Sequence, residues 1–270
     1  MPIIKTTSPI EAYRIRAKAK NINELTGRTG RPDLTKYIAQ QIYEKLKINK
    51  TTVLVDVGCG DGSLLIKLEK SKLKNFKGKF IGILPTNEEV SRVKKYLKNI
   101  YDKNNTSILI KEGLAEKTAL PNNYTDIIIC NSVFNVSGNR KKNVKMALSE
   151  FYRISKKGGI IFIGELPDKD ENKKKNYEDS ILNWLTWVLK NEGFLSFIKR
   201  FKQVILSLLT SEPLVIVPKK NIFFMKPKNF IQELNEQGIK TKKYYRHKEI
   251  DKNGREYISK TRWIYICIKK

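Results

Sequence analysis

Three glycines at alternate positions follow a short apolar segment in VLVDVGCGDGSLL, residues 53–65. Gly58, Gly60 and Gly62 leave the main chain bare where a strand turns into a helix, so a ligand can approach the backbone closely. The free N–H groups at the start of that helix face the same space. Asp56 adds a carboxylate just before the turn. The pattern therefore predicts a ligand site built largely from main chain.

Two common phosphate-binding patterns are absent from this stretch. A Walker loop requires GxxxxGK[ST], and in the dinucleotide fingerprint GxGxxG the third glycine comes one residue later.

The only histidine, His247, is a candidate base because imidazole titrates near neutral pH. It lies in YYRHKEIDKNG, which predicts a hairpin strand before an Asn253-Gly254 turn.

The elements that position these residues alternate between apolar strands and amphipathic helices. Such alternation favours a parallel sheet covered by helices on both faces. The predicted elements are a helix over 33–46, a strand over 53–57, a helix over 63–70, a strand over 79–84, a helix over 87–101, strands over 107–111 and 124–130, a helix over 140–155 and a strand over 159–165.

The alternation stops after Glu165, where about 60 residues with two helical patterns precede the next core helix. We expect four segments: an N-terminal helical lid over 1–50, a ligand-binding core over 51–165, a helical cap insertion over 166–225 and the C-terminal part of the core sheet over 226–270.

Asp56-x-Gly58-x-Gly60-x-Gly62 resembles the motif of class I S-adenosylmethionine-dependent methyltransferases. GLAEKTALPNNYTDIIICNSVFNV (113–136) is similar to the family's third and fourth strand ends, and ALSEFYRISKKGGIIFIGE (147–165) to its helix, Gly-Gly turn and fifth strand. The resemblance implies an α/β fold with a Rossmann-like, doubly wound, mostly parallel seven-stranded sheet and a helical cap insertion. It also implies methyl transfer with S-adenosylmethionine as cofactor.

The resemblance implies a role for each motif residue. The methionine part of the cofactor would lie along Asp56 and the backbone of Gly58, Cys59 and Gly60; the adenine would lie beside the loop of Leu114, Ala115 and Glu116, paired to the Ala115 N–H; Asn131 would bind the ammonium group. Two structural alternatives stay open: Asp56 as a helix cap and Asn131 as a turn residue.

Two positions depart from the family pattern. The family commonly ends its second strand with an acid that binds both ribose hydroxyls, and Leu84 occupies that position here. Glu88, Asn87 or Thr86 could reach in instead. The family often has Asp before the adenine-facing alanine, where this chain has Leu114. Losing two polar contacts weakens cofactor binding, so a non-catalytic binding module is an alternative interpretation.

Methyl transfer to a hydroxyl or a protonated amine also benefits from a base. Glu165 ends the fifth strand, beside the expected position of the methyl group, and His247 is the second candidate. The alternative for Glu165 is a loop acid or an ion pair. Residues 131–159 are also similar to arsenite methyltransferases, but Ser132 follows Asn131 and the cysteines occupy core or glycine-turn positions, which argues against arsenic as a substrate. We expect no metal site.

The insertion and the N-terminal segment are expected to cover the site. Aromatic residues of the insertion would form an apolar cap: Tyr177, Trp184, Trp187, Phe194 and Phe197. Arg28 or Arg31 would meet the cofactor carboxylate. The second helix of the insertion also carries Lys199, Arg200 and Lys202 beside apolar residues, a pattern that permits peripheral contact with an anionic membrane.

The amino-acid composition limits the classes of function that this protein can have. The 270 residues are 40% apolar, and the net charge of +27 suits a polyanion partner, although the excess of Lys, Asn and Ile is also typical of an AT-rich genome. Three separated cysteines and no signal-peptide or membrane-spanning pattern predict a reduced, cytoplasmic protein.

The first functional prediction is therefore methyl transfer to O or N of a small molecule such as a sugar or another biosynthetic intermediate, with no nucleic-acid partner. The alternatives are the non-catalytic module and an RNA or protein methyltransferase. The basic, aromatic C-terminal segment over 238–270 supports the last, although its alternation also predicts a buried terminal strand.

Overall fold

A computed structural model describes residues 4–5, 9–18, 22–26, 32–101, 106–134, 141–171, 181–209, 215–216, 223–251 and 253–270. The strands are β1 (Ile4–Lys5), β2 (Val53–Val57), β3 (Lys79–Leu84), β4 (Ile108–Glu112), β5 (Thr125–Asn131), β6 (Ser155–Pro167), β7 (Val215–Ile216), β8 (Ile239–Ile250) and β9 (Glu256–Lys269). The helices are α1 (Pro9–Arg16), a 3₁₀ helix (Ile22–Thr26), α2 (Pro32–Tyr43), α3 (Ser63–Lys70), α4 (Asn87–Lys98), α5 (Lys141–Ile154), α6 (Ile181–Glu192), α7 (Phe194–Leu209) and α8 (Pro227–Glu236).

Seven strands form one sheet in the order β4-β3-β2-β5-β6-β9-β8. The first five run parallel, and β9 is antiparallel to both β6 and β8. The strand order reverses between β2 and β5, and open α/β sheets bind ligands at such a point. The predicted α/β, Rossmann-like, mostly parallel sheet is confirmed.

Each face of the sheet is covered by helices. On one face, α5 and α8 bury Leu148, Phe151 and Phe230 against the sheet. On the other, α2, α3 and α4 contribute a second apolar cluster that includes Ile38 and Leu65. Continuous apolar strands are therefore explained by burial on both sides.

Several predicted boundaries agree with the structure. The strands over 53–57 and 79–84 and the helix over 63–70 have the predicted ends. The predicted strand over 159–165 is longer at both ends: β6 begins at Ser155, which pairs with Thr125, and Leu166 and Pro167 continue the pairing with β9. The insertion contains α6 and α7, separated by Gly193. The division into four segments stays a prediction.

The C-terminal segment forms the antiparallel hairpin of β8 and β9. Ile264, Tyr265 and Cys267 are buried along β9, as the alternation predicts. All three cysteines are buried and free of disulfides.

Candidate active site

The turn between β2 and α3 has the backbone geometry that the glycine spacing predicts. Gly58 and Gly60 have φ of +73° and +56°, which residues with side chains rarely adopt. A Cβ built on Gly58 would overlap the side chain of Val133, whereas one on Gly60 would lie 3.5 Å from Thr26 Cγ2. The turn therefore presents bare main chain toward the N-terminal elements.

A cavity of about 430 Å³ lies over this turn, and we call it the glycine-turn cavity. Its size is typical of small-molecule sites. The N-terminal elements form the opposite wall, with Tyr13, Leu25, Thr26, Ile38 and Ile42. All nine residues predicted to bind the cofactor line this cavity: Asp56, Gly58, Cys59, Gly60, Leu84, Leu114, Ala115, Glu116 and Asn131. Their individual roles stay predictions.

Asp56 is only 5% exposed. Its carboxylate accepts no hydrogen bond from the residues that the structure describes. Burial, followed by the charge of Asp61, raises the pKa of Asp56 to about 8. The N-cap residue of α3 is Gly62, and the side chain that binds the start of the helix is that of Asp61, whose Oδ1 accepts from the Ser63 N–H at 3.0 Å. The helix-cap alternative for Asp56 is therefore wrong.

The protein should lose stability as the pH rises from about 4 to about 8. The folded state holds the Asp56 proton up to a pH of about 8, whereas the unfolded chain releases it near the model-peptide value of 3.8. Unfolding therefore releases a proton in this window, and the free energy of unfolding falls by up to about 1.4 kcal/mol per pH unit.

Asp56→Asn should flatten this dependence, as measured by urea unfolding between pH 5 and 8.5. Part of the slope should remain because burial also raises the pKa of Glu89 to about 7. Glu88→Gln removes an exposed carboxylate and should keep the wild-type slope. Equal slopes for Asp56→Asn and the wild type would contradict the prediction.

The acidic side chain that lines the cavity after β3 is Glu89, which the sequence analysis missed. Glu88 and Asn87 are exposed, and Thr86 caps α4, so the expectation that one of these three replaces an acid at Leu84 is wrong. The Thr86 hydroxyl donates to Glu89 Oε2 at 2.9 Å. The Thr-x-x-Glu spacing is a capping-box signal, and it could have indicated that Glu89 turns inward.

The loop after β4 forms a narrow turn in the cavity wall. Reciprocal backbone hydrogen bonds of 3.0 Å join Leu114 and Lys117, which leaves Ala115 and Glu116 at the tip. The Ala115 N–H donates to no acceptor among the described residues. It is therefore available to an acceptor atom of a ligand.

Glu165 belongs to a polar cluster at the end of β6. Its Oε1 accepts from Asn131 Nδ2 at 2.9 Å, and Arg262 pairs with its Oε2. Glu165 has φ of +56° and lies where the register between β6 and β9 shifts. Bulges of this kind redirect side chains and are common beside active sites. Glu165 therefore forms an ion pair with Arg262, as the alternative interpretation of this residue predicted.

His247 lies at a second register shift, between Arg246 and Lys248 on β8. It is 2% exposed, and its Nε2 is 4.0 Å from Glu165 Oε1. Strands β6, β9 and β8 therefore bring together Glu165, Arg262 and His247, which are far apart in the sequence.

A second cavity, of about 570 Å³, lies between α2 and the sheet face of β6, β9 and β8. It shares Ile38, Ile42 and Asn131 with the glycine-turn cavity, so the two cavities adjoin at these three residues. His247 lines the second cavity, whereas Glu165 lines neither and contacts both Asn131 and His247. Of the two candidate bases, His247 therefore lines the second cavity, whereas Glu165 lines neither of the two cavities.

The described residues of α6 and α7 line neither cavity. Phe194 is exposed and stacks on Phe197, with 6.4 Å between ring centroids. Tyr177 and the side chains of Trp184 and Trp187 lie outside what the structure describes. The role of the insertion as a cap over the site therefore stays a prediction.

The outer face of α7 exposes Leu195, Leu206 and Leu209 beside Lys199 and Lys202. Peripheral membrane contact through this face stays a prediction. In the ranges given above, the structure contains no helix with the length and apolarity needed to cross a bilayer. Arg28 and Arg31, the predicted partners of the cofactor carboxylate, lie outside the described residues.

Comparisons with known proteins identify the family. The family described as a methyltransferase domain matches residues 48–205, more than half of the chain. No curated protein matches the sequence significantly. The fold is similar to an S-adenosylmethionine-dependent methyltransferase from Aquifex aeolicus, with a TM-score of 0.57 and 14% identity over 93% of this chain and 99% of that one.

Two further solved structures show the same fold. An S-adenosylmethionine-dependent methyltransferase from Methanosarcina mazei has a TM-score of 0.54 and 14% identity over 85% of this chain and 96% of that one. Magnesium protoporphyrin IX methyltransferase from Synechocystis PCC 6803, with bound S-adenosylhomocysteine, has a TM-score of 0.53 and 12% identity over 87% and 84%. This chain belongs to the class I methyltransferases, and it is an enzyme whose cofactor is S-adenosylmethionine.

Proposed function

We propose that this enzyme methylates an oxygen or nitrogen atom of a small molecule, such as a sugar or another biosynthetic intermediate. The observation that supports this proposal is the second cavity, which has the volume of a small-molecule site and adjoins the glycine-turn cavity at Asn131. A small acceptor held there would have its reactive atom at the junction of the two spaces.

The glycine-turn cavity offers a partner for each part of S-adenosylmethionine. The bare main chain of Gly58 and Gly60 and the carboxylate of Asp56 fit the methionine part, and the unused Ala115 N–H fits the adenine. Glu89 is our candidate for the acid that binds the ribose hydroxyls. When bound, this cofactor supplies a methyl group already activated on a sulfonium sulfur. Residues 1–50 would act as the lid.

Glu89→Gln should weaken the binding of S-adenosylhomocysteine about tenfold, because an ionised acceptor of ribose hydroxyls is replaced by a neutral amide. Isothermal titration at pH 8.5, where Glu89 is ionised, measures the effect. Glu88→Gln is the matched control, since it removes the same charge from an exposed neighbour on α4. Equal affinities for the two variants would exclude Glu89 from the ribose site.

We further propose that His247 accepts the proton released by the acceptor, and that Glu165 orients the imidazole. His247 lines the second cavity, while Glu165 is held by Asn131 and Arg262. The carboxylate lies 4.0 Å from His247 Nε2, and catalytic contacts of this kind often tighten only when substrate is bound. The His247 side chain is 2% exposed, so bulk water has little access to it.

Transfer of a labelled methyl group distinguishes the acceptor classes. The enzyme is incubated with radiolabelled S-adenosylmethionine and, separately, with a metabolite extract, total RNA and total protein. The proposal predicts label in the metabolite fraction alone. Label in RNA or protein, with none in metabolites, would favour the alternative that the basic C-terminal segment suggested.

A further inference from the structure

The second cavity has a strongly one-sided charge. Lys45, Lys243, Arg246 and Lys248 line it together with His247, and no Asp or Glu is among its lining residues in the described chain. Two of these cations are already paired: Arg246 with Asp168 at 3.4 Å and Lys248 with Glu256 at 3.7 Å. Lys45 and Lys243 therefore carry the uncompensated charge.

Lys45 and Lys243 approach the same aromatic ring from two elements. Lys45, which follows α2, has its Nζ 6.0 Å from the Tyr245 ring centroid, and the Nζ of Lys243 on β8 is 5.4 Å from it. Lys45 Nζ donates to the Gln41 carbonyl oxygen at 2.8 Å. Neither ammonium group forms an ion pair with a carboxylate among the described residues.

Holding two like charges beside one cavity is unfavourable without an anion. Burial, together with the charges of Lys248 and Lys243, lowers the pKa of Lys45, and Glu44 offsets this only in part. Ammonium groups are also strongly hydrated, and Lys45, which is half-buried, loses part of that hydration, whereas Lys243 is exposed. An anionic ligand between the two lysines would relieve the repulsion and form charge-assisted hydrogen bonds.

We propose that the second cavity binds the methyl acceptor and that this acceptor carries a phosphate or carboxylate group, held between Lys45 and Lys243. The inference rests on the proposed function, because it takes this cavity as the acceptor site. Lys243 and His247 are four residues apart on β8, which corresponds to about 13 Å of strand. The anionic group would therefore bind at one end of the cavity and the methylated atom at the other, near Asn131.

Binding of inorganic phosphate tests the anion site directly. Phosphate is titrated by calorimetry into the protein saturated with S-adenosylhomocysteine. We expect Lys45→Met and Lys243→Met each to weaken phosphate binding about tenfold. Lys94→Met, on the exposed face of α4, removes the same charge and should bind phosphate as the wild type does. Equal affinities in all four proteins, or an equal loss in Lys94→Met, would overturn the proposal.

The labelled product of methyl transfer provides a second test. The product formed from the metabolite extract should be retained by an anion-exchange resin, and Lys45→Met and Lys243→Met should lower its yield at least tenfold. An uncharged labelled product would overturn the proposal. So would tight RNA binding with a steep salt dependence that the same two lysines control, since the cations would then bind a polynucleotide.

The two proposals fail in distinguishable ways. If S-adenosylhomocysteine binds but phosphate binding does not depend on the lysines, the anionic acceptor is wrong and the small-molecule methyltransferase stands. If phosphate binding depends on the lysines but label enters only RNA or protein, the anion site stands and the small-molecule acceptor is wrong.

Discussion

Gly60→Ala should weaken the binding of S-adenosylmethionine about 100-fold and leave the protein folded. The added methyl group would lie 3.5 Å from Thr26 Cγ2, in ordinary contact, so no protein atom has to move. It would nevertheless project from the cavity wall that Gly60 and Thr26 form, where we expect the cofactor to lie. Overpacking by one methyl group costs about 1–3 kcal/mol, which corresponds to a loss of up to about 150-fold in affinity.

The backbone strain of this substitution has a matched control in the same chain. Gly254, in the hairpin turn, has φ of +77°, and a Cβ there meets nothing within 4 Å. Gly254→Ala should cost about the same 1 kcal/mol of left-handed strain and should bind the cofactor as the wild type does. Thermal unfolding reports the strain and calorimetry reports the binding. Similar affinities for the two variants would show that the cofactor does not lie against Gly60.

His247→Gln should lower kcat at least 100-fold on the identified acceptor, with the affinity for S-adenosylhomocysteine within threefold of the wild type. A positioned base contributes about 10²–10⁴-fold to rate. His247 lines the second cavity, which we propose binds the acceptor, but not the glycine-turn cavity. The rate of the wild type should fall on the acidic side as the imidazole is protonated, and the variant should lack this limb. An unchanged profile would exclude His247 as the base.

Glu165→Gln should have a smaller effect, about tenfold on kcat, because in the proposed mechanism Glu165 orients His247 and does not contact the acceptor. The acidic limb of the profile should persist, because His247 is still present. Glu150→Gln is the structural control: Glu150 is also buried, accepts from Thr118 Oγ1 at 2.6 Å and lines neither cavity. Loss of rate in Glu150→Gln equal to that in Glu165→Gln would reduce Glu165 to a structural role.

Only part of the site could be predicted from local sequence. Glu89 was not predicted because the family pattern places the ribose-binding acid at the end of the second core strand, at Leu84 or its immediate neighbours. In the structure, the cap of α4 turns Glu89, the third residue of that helix, inward. The capping-box spacing carried that information. The local sequence could not predict the second cavity, because its walls come from α2 on one side and from three strands on the other.

The sequence by itself determined the turn after β2 and the ends of β2, β3 and α3, because apolar periodicity and glycine backbone freedom act over a few residues. It also indicated the family, through the resemblance of the glycine motif and two later segments to known methyltransferases. Only the tertiary structure decided that His247, rather than Glu165, faces open space. That outcome depends on register shifts in the pairing of β9 with β6 and β8. The pairing of β6 with β9 joins residues far apart in the chain, such as Ile161 and Cys267. A shift of one residue in register reverses the face that a side chain occupies.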